Sequence, residues 1–273
     1  MSKSTGTLHE MYLKKIKRDN RKVTFLRIAL AFVVLFGWEF LGRMGVIDTF
    51  IFSSPSGIVR CFIEMTVDGT IFRHMGITIA ETLIAFVLVI VVALLVAVLM
   101  WRFRIVFKVL EPYMVLLNSL PKSALAPLLI VWLGNNFKTI VVAAVSVAVF
   151  GAMLSIYTSF IEVEEEKIRL IKTLGGNRFH TLVYLVIPHS LPSIINTCKV
   201  NLGLSLVGVI IGEFLAARQG LGYMIIYATQ TFKMDWVLLA IVILSLLSVG
   251  MYKLINVIEK ILFKYIYCKA TDC

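Results

Sequence analysis

The chain has 273 residues, 59% of them hydrophobic and only 16% charged, against roughly 25% charged in ordinary soluble domains. With a mean hydropathy of +0.92, this composition excludes a soluble globular protein and calls for an integral membrane one. The net charge of +11 reads as membrane topology and attraction to anionic lipid, not as a nucleic-acid footprint.

Residues 1–23 form a basic N-terminal segment. It is too long for a cleavable signal, and no small-x-small site follows the apolar run behind it. The first crossing is therefore expected to stay as an anchor. A crossing needs about 20 mostly apolar residues, and six stretches satisfy that: 24–42, 78–100, 110–133, 138–160, 190–213 and 236–258. The linkers 101–109 and 134–137 are short, so the crossings they join are antiparallel neighbours. The expected fold is an all-α membrane protein with about six transmembrane helices. They form one bundle over 24–260, followed by a tail over 261–273.

In the third crossing Pro112, Pro121 and Pro127 remove backbone donors and bend or break the helix. Asn118, Lys122 and Ser123 lie at the same depth.

Between the fourth and fifth crossings lies a polar island, Glu162 to Pro192. Glu164, Glu165 and Glu166 place negative charge on the first turn of a helix, where the macrodipole favours it. Ile168, Ile171 and Leu174 recur at helical spacing as one apolar face. Gly175 and Gly176 close the helix, because glycine adopts positive φ without steric cost. Asn177 caps a second helix expected to run through Val186, with Pro188 and Pro192 ending it and opening the next crossing. A helix, a tight turn and a second helix on one membrane side make a docking element.

Asn196, Lys199, Asn201 and Ser205 occupy the fifth crossing. Polar groups at membrane depth are costly unless paired or facing a cavity. Asn118, Lys122, Ser123, Asn201, Ser205 and Glu213 are therefore candidate pathway residues, with Lys122 as partner for an anion such as a sulfonate. Interhelical hydrogen bonding, or a lysine snorkelling from a helix break, accounts for the same residues without a pathway. Glu213 reads as a contact for a docked binding protein or as half of a structural salt bridge. Gly208 and Gly212 form a G-x-x-x-G, which suits a subunit interface or packing within the chain.

Basic residues stay on the cytoplasmic side. With both termini and the island placed there, nineteen Lys and Arg fall inside, six fall outside, and Lys122 and Lys199 fall within crossings. Residues 43–77 and 214–235 are then outside. The island's first helix is acidic and its second carries only Arg178 and His180, too few cations for DNA. No G-x-x-x-x-G-K-[ST] loop occurs, so the chain is not expected to hydrolyse ATP. His9, His74, His180 and His189 lack metal-ligand spacing. Cys61, Cys198, Cys268 and Cys273 are scattered and read as plain thiols.

The island resembles the EAA loop of the membrane-spanning subunits of ATP-binding-cassette importers. Arg169, Leu170 and Ile171 stand at the EAA positions, Gly175 at the glycine, and Ile187, Leu191 and Pro192 at the closing I-x-LP, with one extra residue. Arg169 reverses the charge of the family's Glu, which leaves the glutamates one turn earlier as its substitute. FSSPSGIV (Phe52 to Val59), LPKSALAPLLIVWLG (Leu120 to Gly134) and GEFLAARQGLGYMI (Gly212 to Ile225) resemble three further motifs of the nitrate, sulfonate and taurine group. The resemblance covers about 53 to 260.

This resemblance implies a type I importer permease with a cytoplasmic coupling helix. Coupling would fall to Arg169, Leu170, Ile171, Leu174, Gly175, Gly176, Phe179, Leu191 and Pro192, with Ile171, Leu174 and Phe179 filling a groove on an ATPase. It also implies two ATP-binding subunits that carry ATP and Mg, a second permease copy (most simply this chain again) and an extracytoplasmic solute-binding protein. No cofactor is expected on this chain. The competing reading is a self-sufficient secondary transporter or channel with coupling-ion sites at broken helices, which the proline-rich third crossing suits.

Overall fold

The computed structural model describes residues 3–271, with side chains over 18–19 and 21–261. The side chains of Lys3, His9, Lys14, Lys15, Lys17, Lys264, Cys268, Lys269 and Cys273 lie outside the described residues. The order is α1 (Lys3–Arg43), α2 (Thr49–Phe52), α3 (Pro55–Val67), α4 (Thr70–Arg102), α5 (Arg104–Ser119), α6 (Lys122–Leu133), α7 (Phe137–Ile161), α8 (Glu165–Thr173), α9 (Arg178–Thr181), a π-helical turn (Leu182–Val186), α10 (Ile187–Ala216), α11 (Leu221–Gln230) and α12 (Met234–Thr271). No strand occurs among the described residues. Among the described residues, five helices are long and apolar enough to cross a membrane, six if the bent α5–α6 pair counts as one.

The centre is α7, packed against α4 and α10. Small side chains at four-residue intervals bring the backbones together: Ala85, Val89, Ala93 and Ala97 on α4, and Ala144, Ala148 and Ala152 on α7, are buried. In lipid, such close approach is the main source of helix association. Gly208 and Gly212 belong to this seam. A Cβ at 208 would lie 2.6 Å from Ala144 Cα and one at 212 would lie 2.9 Å from Ile140 Cα. The G-x-x-x-G thus packs within the chain, and the subunit-interface alternative for it falls away. Helix α1 lies at the edge against α3, its apolar residues largely exposed.

One expectation is met and another needs correction. The third crossing, 110–133, is broken as its prolines imply: α5 and α6 meet at 97° at Pro121, while Pro112 and Pro127 stay inside their helices. Pro121 supplies no N–H, and Leu120 before it is extended (φ −62°, ψ 139°), as a residue preceding proline prefers. Side chains then serve the freed carbonyls of α5. Ser119 Oγ donates to the Val115 and Leu116 oxygens at 2.8 and 3.0 Å, and Lys122 Nζ donates to the Leu117 oxygen.

Pro188 and Pro192, by contrast, do not separate the island from the fifth crossing. Arg178–Ala216 is one continuous 39-residue rod. Pro188 cannot donate to the Tyr184 carbonyl, and its ring would crowd it. The turn ahead widens instead, with Ile187 N–H donating to Leu182 O in the i→i+5 pattern of a π-turn. The second island helix is accordingly α9 plus that turn. The first two turns of α4 and all of α3 and α11 also add helix to segments expected only to connect crossings.

Candidate functional site

The docking element is built around Gly175. Glu165 and Glu166 stand in the first turn of α8 and Lys172 in its last, each charge complementing the helix dipole. Gly175 takes φ +82°; its N–H reaches Lys172 O at 3.0 Å and the Gly176 N–H reaches Ile171 O at 2.8 Å, the paired bonds of a Schellman end. A Cβ at 176 would lie 2.5 Å from Ile171 Cγ2 and 2.8 Å from its carbonyl oxygen. The two glycines therefore serve different needs: 175 needs the conformation and 176 needs the space. Asn177 Oδ1 then accepts from His180 N–H at 2.9 Å, while Asn177 N–H donates to His180 Nδ1 at 3.3 Å. This capping box starts α9.

The apolar face differs from the expected one. Ile168 turns inward onto the cluster of Phe160 and Val186, and Ile171 is half-buried. The outward residues are Leu170 (59% exposed), Leu174 (78%) and Phe179 (67%), with Tyr184 beyond them (72%). Arg169 pairs with Glu165 at 3.1 Å and Lys167 with Glu164 at 3.0 Å, all exposed. Leu191 is half-buried and Pro192 exposed, both within the rod.

The candidate pathway residues do not converge. Asn118 lies on exposed α5, its Oδ1 3.5 Å from where a Gly151 Cβ would stand. Lys122 is tied to the α5–α6 break, its Nζ 5.8 Å from the Phe150 ring centroid, and Ser123 beside it is exposed. Asn201 and Ser205 are buried; Asn201 Nδ2 donates to Thr197 O at 2.8 Å, while Asn201 Oδ1 and Ser205 Oγ have no hydrogen-bond partner among the described residues.

Polar groups do meet in a cavity of about 480 Å³ between α7 and α10. Ser155, Thr158, Glu162, Ser193, Asn196 and Thr197 line it, with Ser155 and Thr197 hydroxyls 2.8 Å apart. The hydroxyls of α7 escaped the sequence reading because an apolar run hides them. Their spacing from Ser155 to Ser159 at i, i+3, i+4 was the available signal.

Glu213 is neither an exposed contact nor part of an ion pair among the described residues. It is 1% exposed and accepts from Thr78 Oγ1 at 2.7 Å and from Gly222 N–H at 2.5 Å, at the start of α11. A Cβ at 220 would sit 2.4 Å from its carboxyl carbon, so the G-L-G turn wraps the carboxylate. The Leu221 N–H donates to Thr78 Oγ1 (2.9 Å) and the Gly220 N–H to His74 Nδ1 (3.0 Å). Glu81 reaches the same group from α4, 3% exposed and with its Oε2 unpartnered among the described residues. It was missed although an acidic residue inside an apolar run is itself a signal. No group of three or more His, Cys, Asp or Glu able to hold a metal assembles among the described residues.

Residues 89–264 match the family of binding-protein-dependent transport system inner membrane components. The chain belongs to that family. It is thus a multi-pass inner-membrane permease subunit of an ATP-binding-cassette importer, a transport protein that works with an ATPase subunit and a solute-binding protein. It is similar to a formylaminopyrimidine transport permease of Halalkalibacterium halodurans, 28% identical across 84% of this chain and 90% of the relative. It is also similar to the taurine transport permease of Escherichia coli, 24% identical across 88% and 89%, and to a putative aliphatic sulfonates transport permease of Bacillus subtilis, 23% identical across 87% and 86%. In fold it is similar to an amino acid ABC transporter, with TM-score 0.57 and 18% identity over 73% of this chain and 97% of that one. The MetNI methionine transporter gives TM-score 0.55 and 17% identity over 68% and 96%.

Proposed function

We propose that this permease moves a small sulfonate, taurine-like or heterocyclic solute, driven by ATP hydrolysis on partner subunits that seat the α8–α9 element. The observation that carries the docking reading is the exposed apolar trio Leu170, Leu174 and Phe179 around the Gly175 turn, which a soluble-side surface otherwise has little reason to keep. Leu170 takes the outward place first given to Ile171, and Ile171 supports the turn from behind. Two copies of the chain with two ATPases form the assembly. ATP and Mg bind the partners, because the sequence carries no phosphate loop of its own.

The excess of Lys and Arg at the Gly175 end and near both termini supports a cytoplasmic placement of these segments. The Gly220 end then faces the binding protein. Solute reaching the inner half meets the hydroxyl-lined cavity at Ser155, Asn196 and Thr197, whose neutral donors suit a sulfonate or a ring carbonyl. Glu162 of the same cavity favours a solute that also carries an amine, as taurine does. The decisive experiment reconstitutes the complex and measures substrate-stimulated ATPase with Leu174→Ser/Phe179→Ser. Loss of ATPase binding with an intact permease supports the docking role, and unchanged stimulation refutes it. Labelling of a cysteine placed at the exposed Thr173 by an impermeant reagent added outside intact cells would sink the orientation.

A further inference from the structure

Where α4 gives way to α5 at Phe103, the chain turns over a cavity of about 580 Å³ closed on its far side by α8 and α9. Four cations line it: Arg102, Arg104, Lys172 and Arg178. The ion pairs of α8 engage Lys167 and Arg169, and no carboxylate lies within 4 Å of these four among the described residues. Arg178 Nη1 donates to the Arg102 carbonyl at 3.5 Å, and the Arg102 guanidinium lies 4.9 Å from the Phe103 ring centroid. The arginines are thus gathered around the elbow, in an open cavity where all four cations remain exposed. The remaining wall is mainly apolar, with Trp101, Ile105 and Val106, and carries the hydroxyl of Thr181.

We propose that this elbow cavity is a binding site for a phosphate group, with the apolar part of the ligand resting on Trp101, Ile105 and Val106. Four like charges sharing one concavity repel one another until an anion enters. Three of them are arginines, whose planar donor forks match phosphate oxygens. A basic pocket beside an apolar wall at the end of a membrane helix has the chemistry for a phospholipid headgroup, and a free phosphate supplies the same oxygens. The site is distinct from the docking surface. Ile168 and Lys172 share one face of α8, while Leu170 and Leu174, two residues out of phase, lie about 200° around the helix. A bound phosphate therefore ties α8 to the α4–α5 elbow from the side that an ATPase leaves free.

The test uses the full chain purified in a neutral detergent, with melting temperature and native mass spectrometry as readouts. One arm titrates phosphatidylglycerol against phosphatidylcholine, and the other titrates inorganic phosphate against chloride at equal ionic strength. Phosphatidylglycerol is expected to be retained and to raise the melting temperature, with affinity falling about fivefold for each cation removed in Arg104→Gln and Arg178→Gln. Arg169→Gln, a cation outside the cavity, should bind as the wild type does. Stabilisation by inorganic phosphate that the same variants abolish supports the site with a free phosphate as its ligand. Should a variant melt early without ligand, Lys172→Gln, on an exposed side chain, repeats the measurement. The proposal is overturned if neither ligand stabilises the chain, or if its effect is the same in Arg169→Gln and in the cavity variants.

Discussion

Lys199 of α10 donates to Glu259 of α12 across 2.7 Å, with the two side chains only 15% and 25% exposed. The Lys199 ammonium also lies 6.0 Å from the Tyr252 ring centroid. A lysine that sequence alone places unpaired in a crossing is therefore neutralised by a helix distant in the chain. Removing either partner strands the other charge, which for a fully buried pair costs roughly 3–5 kcal/mol. With partial exposure, about 1–3 kcal/mol is expected. Lys199→Met or Glu259→Gln should each lower the melting temperature in detergent, and the charge swap Lys199→Glu/Glu259→Lys should recover most of the loss.

The two glycines of the docking turn should fail in different ways. Gly175→Ala has open space for its Cβ but must keep φ near +82°, a penalty of about 1–2 kcal/mol confined to the turn. Gly176→Ala drives a methyl into Ile171 and displaces the end of α8. Membrane yield should be spared in both, while ATPase stimulation in the reconstituted complex should fall further in Gly176→Ala. Equal activity of the two variants would contradict this division of roles.

Gly208→Val and Gly212→Val should prevent normal packing of α7 on α10. Overpacking of this kind costs typically about 1–3 kcal/mol, and more where the obstacle is backbone, as it is at Ala144 and Ile140. Gly203→Ala on the same helix meets nothing within 4 Å and should be neutral or slightly stabilising. Fluorescence-detected size exclusion of the three variants separates these outcomes.

Glu81 and Glu213 should respond with opposite signs. Glu213→Ala leaves the Thr78 hydroxyl and the Gly222 amide without their acceptor, at about 1–3 kcal/mol for each unsatisfied buried group. Glu81→Gln replaces an unpartnered carboxyl oxygen with an amide that can donate to Glu213. Thermal unfolding should show a marked loss for the first substitution and no loss, or a gain, for the second.

The Cys61 thiol is pushed up to about 11, first by burial and then by the negative charges of Asp235 and Glu64. Since the thiolate is the nucleophile, the neutral thiol persists through pH 8 and alkylation by iodoacetamide should be slow there. Its rate should climb tenfold per pH unit until the pH nears 11, provided the fold holds. An engineered exposed cysteine at Val67 gives the reference rate.

The crossings were legible because each is a long apolar run, and the break at Pro121 because proline denies the helix a donor. What escaped were features set by partners distant in the chain. Pro188 does not end a helix when the turn before it widens, and nothing local announces that. Glu81 hid within an apolar run, and its meaning depends on Glu213, 132 residues later. On α8 the helical spacing was read correctly, yet two apolar faces compete there. Only the packing of Ile168 on Phe160 and Val186 decides which face is inward. The pathway candidates were chosen for polarity alone, and helix ends such as the one at Lys122 use polar side chains for their own carbonyls.

The continuity from Arg178 to Ala216 has a mechanical consequence. At about 1.5 Å per residue, 39 residues make a beam of roughly 58 Å with the Asn177 turn at one tip and the Glu213 clamp near the other. Its closest backbone contacts hold the beam near one end only: Gly208 and Gly212 bear on α7 right beside Glu213, about 45 Å from the Asn177 tip. A push on the Asn177 tip is therefore carried along one unbroken rod toward the Glu213 end, with no joint between crossing and docking element. The π-turn at Leu182–Val186 is the built-in compliant section, and it sets how much of each push reaches the far tip.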